Sequence, residues 1–245
     1  RTTGGRNGYG AKLANIFSKR FEVITQWRKK RYTQVWQNNM SEKSIPHVED
    51  CNDSKGFTCI KYLPDYSKFQ MSGMTPSLLK VIEKRCWDMS GTTQSVDVYF
   101  QHEKIPVSTF EEYAKMYTTD VVEYVKLHKR WEVAIFRGTS APSFVNGICC
   151  FNGGTHVKCV SDSFFKELSS MASKKIRGTA IKPRELKSQF VVMVNCLIEN
   201  PEFESQSKRE LTSLPKNFGS LPTWKNATLR RVCNVFCDSV VEWAQ

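Results

Sequence analysis

Near Trp131 the hydrophobic pattern of the chain changes. Before it, "FEVITQW" alternates Phe21, Val23, Thr25 and Trp27, as a half-buried strand should. After it, "WEVAIF", "SFVNGICCF" and "QFVVMVNCLI" read as strands, with a helix from about Ser161 to Lys175 between the last two. A final amphipathic helix puts Leu229, Val232, Phe236, Val240 and Trp243 on one face. The pattern predicts an α+β chain in two parts, residues 1–128 and 129–245, with the border near residues 128–130. Trp131 and Trp243 are expected in the core.

The first part begins with a glycine-rich loop, Gly4 to Gly10, running into a helical pattern with Leu13, Ile16 and Phe17 on one face. The basic stretch Arg28 to Arg31 turns the first strand back into "YTQVW", and the polar segment Ser41 to Lys55 reads as loop. "FTCIKY" is a further strand. Thr75 as N-cap with Pro76 at the first helical position starts a helix carrying Leu78, Leu79, Ile82 and Cys86. "SVDVYF" reads as a strand, and Thr109 with Glu112 makes a capping box for a helix to about Tyr117.

Composition narrows the class. Of 245 residues, 40% are hydrophobic and 24% charged, which excludes collagen, low-complexity disorder and a coiled coil. The longest apolar run, "FVVMVNCLI", contains an Asn and is far short of the roughly 20 residues of a membrane span. No membrane partner is expected. The opening "RTTGGRNGYG" has no initiator Met and no apolar stretch of a targeting signal, so the sequence reads as a piece of a longer polypeptide. A net charge of +12 favours polyanions: nucleic acid, an anionic membrane or nucleotide phosphates. Nine cysteines at irregular spacing, with no C-x-x-C pair, read as reduced core residues of an intracellular protein, and no metal site is expected from them.

The stretch "GGRNGYGAK", Gly4 to Lys12, is where chemistry is best supported. Consecutive glycines let backbone N–H groups approach a phosphate, and the helix N-terminus that follows adds partial positive charge. It is not a Walker A loop, because Ala11 follows Gly10 and Lys12 comes one place late. A dinucleotide-binding G-x-G-x-x-G reading also fails, since no strand precedes it here.

The longer string "GGRNGYGAKLANIFS" closely resembles the ATP-lid segment of the eukaryotic-type type II DNA topoisomerases. "QVWQNNM", "PDYSKF", "SFVNGI" with "GGTHV", "VNCLIENPEFESQSK" and "LPKNFGS" extend the resemblance in order, from Gly4 to about Ser220. It implies that residues 1–128 are the C-terminal part of a GHKL-type ATPase α/β sandwich. Residues 129–245 would then be a transducer domain resembling ribosomal protein S5.

Carried over residue by residue, Gly5, Arg6, Asn7, Gly8, Tyr9, Gly10, Ala11 and Lys12 match the loop that wraps the ATP triphosphate. The backbone amides from Arg6 to Ala11 would bind phosphate oxygens, with side-chain contacts from Arg6, Asn7 and Lys12. "QSK", Gln206, Ser207 and Lys208, matches the transducer loop usually written Gln-Thr-Lys; Ser207 keeps the hydroxyl and loses a methyl. The family's Lys contacts the γ-phosphate and its Gln helps to position it, which assigns Lys208 and Gln206 the catalytic roles. Lys174, Lys175 and Arg177 close the helix that starts near Ser161, where the family's Lys-rich segment faces the cavity for the transported duplex. The bland reading is cations suiting a helix C-terminus. His156, near a strand end, is expected to serve structure.

The resemblance further implies that the general-base Glu and the Mg²⁺-binding Asn lie upstream of the lid, and the DNA-cleaving Tyr downstream. A piece of this extent should neither hydrolyse ATP well nor cleave DNA. The implied parent is an ATP- and Mg²⁺-dependent homodimer acting on double-stranded DNA in the nucleus, or alternatively on a mitochondrial genome. Two rival readings are another GHKL ATPase and a basic nucleic-acid-binding module without nucleotide chemistry.

Overall fold

The structure is a computed structural model that describes residues 2–5, 7–176 and 180–245. It is α+β, as expected, and divides into two compact units: Gly5–Lys80, and Val81–Gln245 together with Arg1–Gly4. Residues 128–130, the expected border, form the turn between two paired strands of the second unit.

The unit Gly5–Lys80 holds α1 (Tyr9–Ile16), β1 (Ser18–Trp27), β2 (Lys30–Gln37), β3 (Glu42–Lys43), β4 (His47–Asp50), β5 (Phe57–Pro64) and the first turn of α2 (Pro76–Thr92). Its sheet runs β3-β2-β1-β5, with β4 also on β2, and the long pairs are antiparallel. Arg28 and Lys29, both with positive φ, make the two-residue turn that returns β1 into β2. One face carries Phe21 between Trp36 and Tyr62, each ring centroid 6.1 Å away. Phe21 is the one fully buried hydrophobic residue described in this unit; Trp27, Ile60 and Tyr62 on the same face stay exposed. The segment Ser41 to Lys55 is not all loop, since β3 and β4 pair with β2. β4 is exposed along its whole length and leaves no apolar alternation to read. Thr75 caps α2 as expected, its Oγ1 accepting from Leu78 N at 3.2 Å.

The second unit holds the rest of α2, the small hairpin β6 (Tyr99–Phe100) and β7 (Glu103–Lys104), α3 (Phe110–Lys115), β8 (Glu123–His128), β9 (Trp131–Arg137), β10 (Ser143–Val145), β11 (Ile148–Cys150), α4 (Thr155–Lys175), α5 (Pro183–Leu186), β12 (Phe190–Cys196) and α6 (Asn226–Ala244). Its sheet order is β11-β10-β12-β9-β8, antiparallel except for the parallel pair β10–β12. Both faces are covered. Trp131, Val133 and Ile135 of β9 meet Val192 and Val194 of β12, Phe164 and Leu168 of α4, and Phe236 and Val240 of α6. Ala134, Phe136, Val191 and Met193 face the other way, onto Phe110, Tyr113 and Ala114 of α3. A strand buried on both faces reads as a nearly continuous apolar run, and the two polar residues that interrupt these runs, Glu132 and Asn195, are hydrogen-bonded to each other.

Several expectations are corrected here. "SFVNGICCF" is two strands, because Asn146 and Gly147 turn the chain back. "SVDVYF" is strand only over Tyr99–Phe100. α4 begins at Thr155, so His156 sits in a first helical turn, buried. Trp131 is core, but Trp243 is 43% exposed near the end of α6. β8 and α5 carried no clear sequence signal. None of the nine cysteines is in a disulfide, and among the described residues no helix is long and apolar enough to cross a membrane.

Candidate functional site

The glycine-rich segment ends in a helix start that is chemically open. Gly8 is the N-cap of α1 at φ 66°, a left-handed conformation that a side chain would disfavour. It offers no side chain to cap the helix, and the first turn holds no acidic residue. The N–H groups of Tyr9, Gly10 and Ala11 therefore lack intrahelical acceptors at the positive end of the dipole. Gly5, Asn7, Gly8, Tyr9, Gly10, Ala11 and Lys12 are all exposed. Arg6 lies outside the described residues.

The second element is the loop after β12. Lys208 N donates to Ser205 O at 3.0 Å, and the Ser205 and Ser207 hydroxyls share a 2.7 Å bond, closing a tight turn. Lys208 sits at the end of it with φ 57°, a strained backbone for a residue with a side chain. Gln206 and Ser207 are exposed. The Lys208 ammonium lies 6.0 Å from the centroid of the Phe203 ring and donates to Gly4 O at 2.9 Å. Gly4 belongs to the same unit as Lys208 and immediately precedes Gly5 in the chain. The structure thus joins the Gln-Ser-Lys loop to the residue that leads into the glycine-rich segment.

Gly4 is itself held close. A Cβ there would collide with the Ile148 side chain and stand 3.3 Å from Asn146 O. Arg85 of α2 reaches the same turn, donating to Gly147 O at 2.6 Å. Neither Asn146 nor Arg85 stands out in the sequence; the Asn-Gly dipeptide, a strong hairpin signal, is the one clue to this junction. Beside it, Glu132 is a buried carboxylate accepting from Gln94, Tyr124 and Asn195, at 3.0, 2.7 and 2.9 Å. Burial, reinforced by that carboxylate, pushes the Tyr124 phenol well above its usual range.

Lys174 and Lys175 are exposed in the last turn of α4. Lys175 is paired with Asp238 at 2.6 Å, and that hydrogen bond holds its ammonium above the usual lysine value. Arg177 lies outside the described residues. His156 is buried and bonded to Ser143 Oγ at 2.8 Å, so it serves the packing of the sheet against α4.

A sequence profile of the DNA gyrase B family matches residues 91–218, over half of the chain. The chain belongs to the DNA gyrase B family. Among its relatives are eukaryotic DNA topoisomerase 2 proteins: that of Bombyx mori is 36% identical over all of this chain, and human DNA topoisomerase 2-alpha is 35% identical. The chain spans 17% of the length of each. Among solved structures it is similar to the ATPase and transducer domains of DNA topoisomerase II from Balamuthia mandrillaris. The TM-score is 0.91 at 32% identity, over 100% of this chain and 65% of that one. It is also similar to the ATPase region of Saccharomyces cerevisiae topoisomerase II, with a TM-score of 0.90 at 32% identity and the same coverage. The fold of this member of the family is therefore that of the topoisomerase II ATPase and transducer region.

Proposed function

We propose that this chain is part of the ATP-operated gate of a eukaryotic-type type II DNA topoisomerase, which binds and hydrolyses ATP to pass one DNA duplex through another. The observation that carries the reading is the Lys208–Gly4 bond, because it links the loop matched to the γ-phosphate sensor with the entry to the lid. ATP, when bound, supplies the phosphoanhydride whose γ-phosphoryl group goes to water. The open N–H groups from Tyr9 to Ala11, with Gly8 left-handed before them, fit a phosphate and would hold it. Gly5, Arg6, Asn7 and Lys12 complete the lid in this proposal. Lys208 would neutralise charge on the transferring group, with Gln206 helping to position the γ-phosphate and Ser207 completing the nucleotide-binding loop. Among the described residues, no His, Cys, Asp and Glu come together in threes to hold a cation, and no residue here is assigned to Mg²⁺.

The same reading makes double-stranded DNA and a second copy of the parent the partners, with Lys174 the better phosphate contact, since Lys175 is already paired with Asp238. Nuclear service, or alternatively mitochondrial, follows from the eukaryotic relatives and is part of the proposal. So is the domain division. The change at Trp131 to strands buried on both faces supports a border at residues 128–130, whereas the compact unit starting at Val81 and the membership of β8 in the sheet support an earlier one.

The test is ATP hydrolysis by this region with its natural N-terminal extension, with and without duplex DNA, comparing wild type with Lys208→Ala. A DNA-stimulated rate that falls by about tenfold or more, about 1.4 kcal/mol of transition-state stabilisation, supports the gate. No hydrolysis by the folded wild type would leave only a basic nucleic-acid-binding module.

A further inference from the structure

Asn146 occupies an unusual junction. With Gly147 it forms the two-residue turn between β10 and β11, at φ 51° and 74°, the left-handed pair that a tight hairpin of this twist requires. Its backbone N donates to Cys196 O at 2.8 Å. Its side chain also makes a two-bond clamp on a single residue: Nδ2 donates to Ile198 O at 2.9 Å, and Oδ1 accepts from Ile198 N at 2.8 Å. A turn with an ordinary polar side chain would leave that amide in water. Here it replaces one rung of backbone pairing just past the end of β12.

The clamped residue is where the chain leaves the sheet for the loop that ends in Lys208. Ile198 is fully buried, while Gln206 and Ser207 farther along that loop are exposed. The loop is fastened again where Leu211 N donates to Gly153 O at 3.1 Å. On its other side the Asn146 turn abuts Gly4, through Ile148 and the Asn146 carbonyl, and Gly4 accepts the Lys208 ammonium. The contacts close a ring: Lys208 to Gly4, Gly4 to the Asn146–Ile148 turn, Asn146 to Ile198, and Ile198 along the chain back to Lys208. Arg85 steadies the turn from α2.

We infer that Asn146 is a positioning residue for Lys208, holding the base of its loop and the seat of Gly4 in one frame so that the ammonium is presented where phosphoryl charge develops. The inference rests on the reading of Lys208 proposed above. A side chain that only closed a hairpin would stabilise the fold to the same extent whatever stood at position 208. A positioning residue acts through Lys208 and has nothing left to position once that ammonium is gone.

The experiment uses the full-length parent enzyme and a double-mutant cycle. Asn146→Gly keeps the left-handed turn and removes the clamp. The expected result is a kcat for ATP hydrolysis lowered by about tenfold with KM for ATP changed less than about twofold, and a further change of less than about twofold when introduced into Lys208→Ala. Gly4→Ala, which pushes on Ile148 from the other side of the ring, should show the same split and the same loss of effect in Lys208→Ala; it also serves if Asn146→Gly does not fold. Equal losses in both backgrounds, or no loss in the wild type, would overturn the inference. If Lys208→Ala itself keeps the wild-type kcat, the reading of Lys208 fails first and this inference with it. If Lys208→Ala is impaired while Asn146→Gly and Gly4→Ala are not, only the inference fails.

Discussion

At the scale of single residues, burial decides what a titratable group can do. Ser143 Oγ donates to Cys150 O at 3.2 Å, so it accepts from His156, whose Nε2 must carry the proton. The Nδ1 atom is left buried without a partner, and desolvation lowers the imidazole pKa to about 3. The native state thus refuses a proton that the unfolded chain takes up below a pH of about 6.5, so this residue withdraws stability as pH falls from there toward about 3. Chemical denaturation across that range should show His156→Gln, at a cost of about 1–3 kcal/mol near neutrality, gaining on the wild type by a few kcal/mol as pH drops. A constant difference between the two would mean that the imidazole is hydrated in the native state. In the sequence, this histidine reads as a polar residue near a strand end and Trp243 as a core position of the last helix. Which is enclosed depends on neighbours from distant strands, and only three-dimensional packing supplies those.

At the scale of elements, α2 is tied down by one buried carboxylate. Asp88 accepts from Lys84 at 2.8 Å and from the Tyr113 hydroxyl at 2.6 Å, and Tyr113 shares its hydroxyl with Tyr117 at 2.7 Å. Burial, with the Asp88 hydrogen bond second, drives the Tyr113 phenol far above its normal range, so it remains a donor at any working pH. Removing the carboxylate leaves the buried Tyr113 hydroxyl only Tyr117 to bond with, whereas Lys84 is half-exposed and re-solvates. Asp88→Ala should therefore cost about 2–3 kcal/mol and Tyr113→Phe about 1 kcal/mol, with a coupling near 1 kcal/mol in the double mutant, read by urea denaturation. The helix itself is legible from Thr75, Pro76 and its apolar positions, but its anchor is not, because an Asp at a buried position contradicts the pattern that reveals the rest. The same reasoning explains the other elements. β9 and β12 are plain from continuous apolar runs, and the Thr109–Glu112 capping box forms as written. β4 is silent because both its faces meet water, and the β10–β11 turn is marked only by the Asn146-Gly147 dipeptide between two short apolar runs. Of the candidate site, the glycine lid from Gly4 onward and Lys208 are legible in the sequence, while the bond between Gly4 and Lys208 and the parts played by Arg85 and Asn146 emerge only when the chain is folded.

At the scale of the whole molecule, the two compact units differ in how much apolar surface each encloses. The sheet of the second unit is covered on both faces, whereas in the first the face around Phe21 leaves Trp27, Ile60 and Tyr62 exposed. Local stability follows burial. In hydrogen exchange of this chain, amides of β9 and β12 should be protected by about 100-fold or more over those of β1 and β5; equal protection would show the first unit closing its face in solution. The second sheet sets a different condition on the chain. Its strand order puts β12 between β10 and β9, although β12 is the last of its strands to be made. As the polypeptide emerges from the ribosome, Trp131–Arg137 and Ser143–Val145 must wait, each with an unpaired edge, until Phe190–Cys196 arrives to join them. Until that insertion the nascent chain offers two sticky templates, so its safe passage into the folded state depends on how quickly α4 and the residues after it are synthesised.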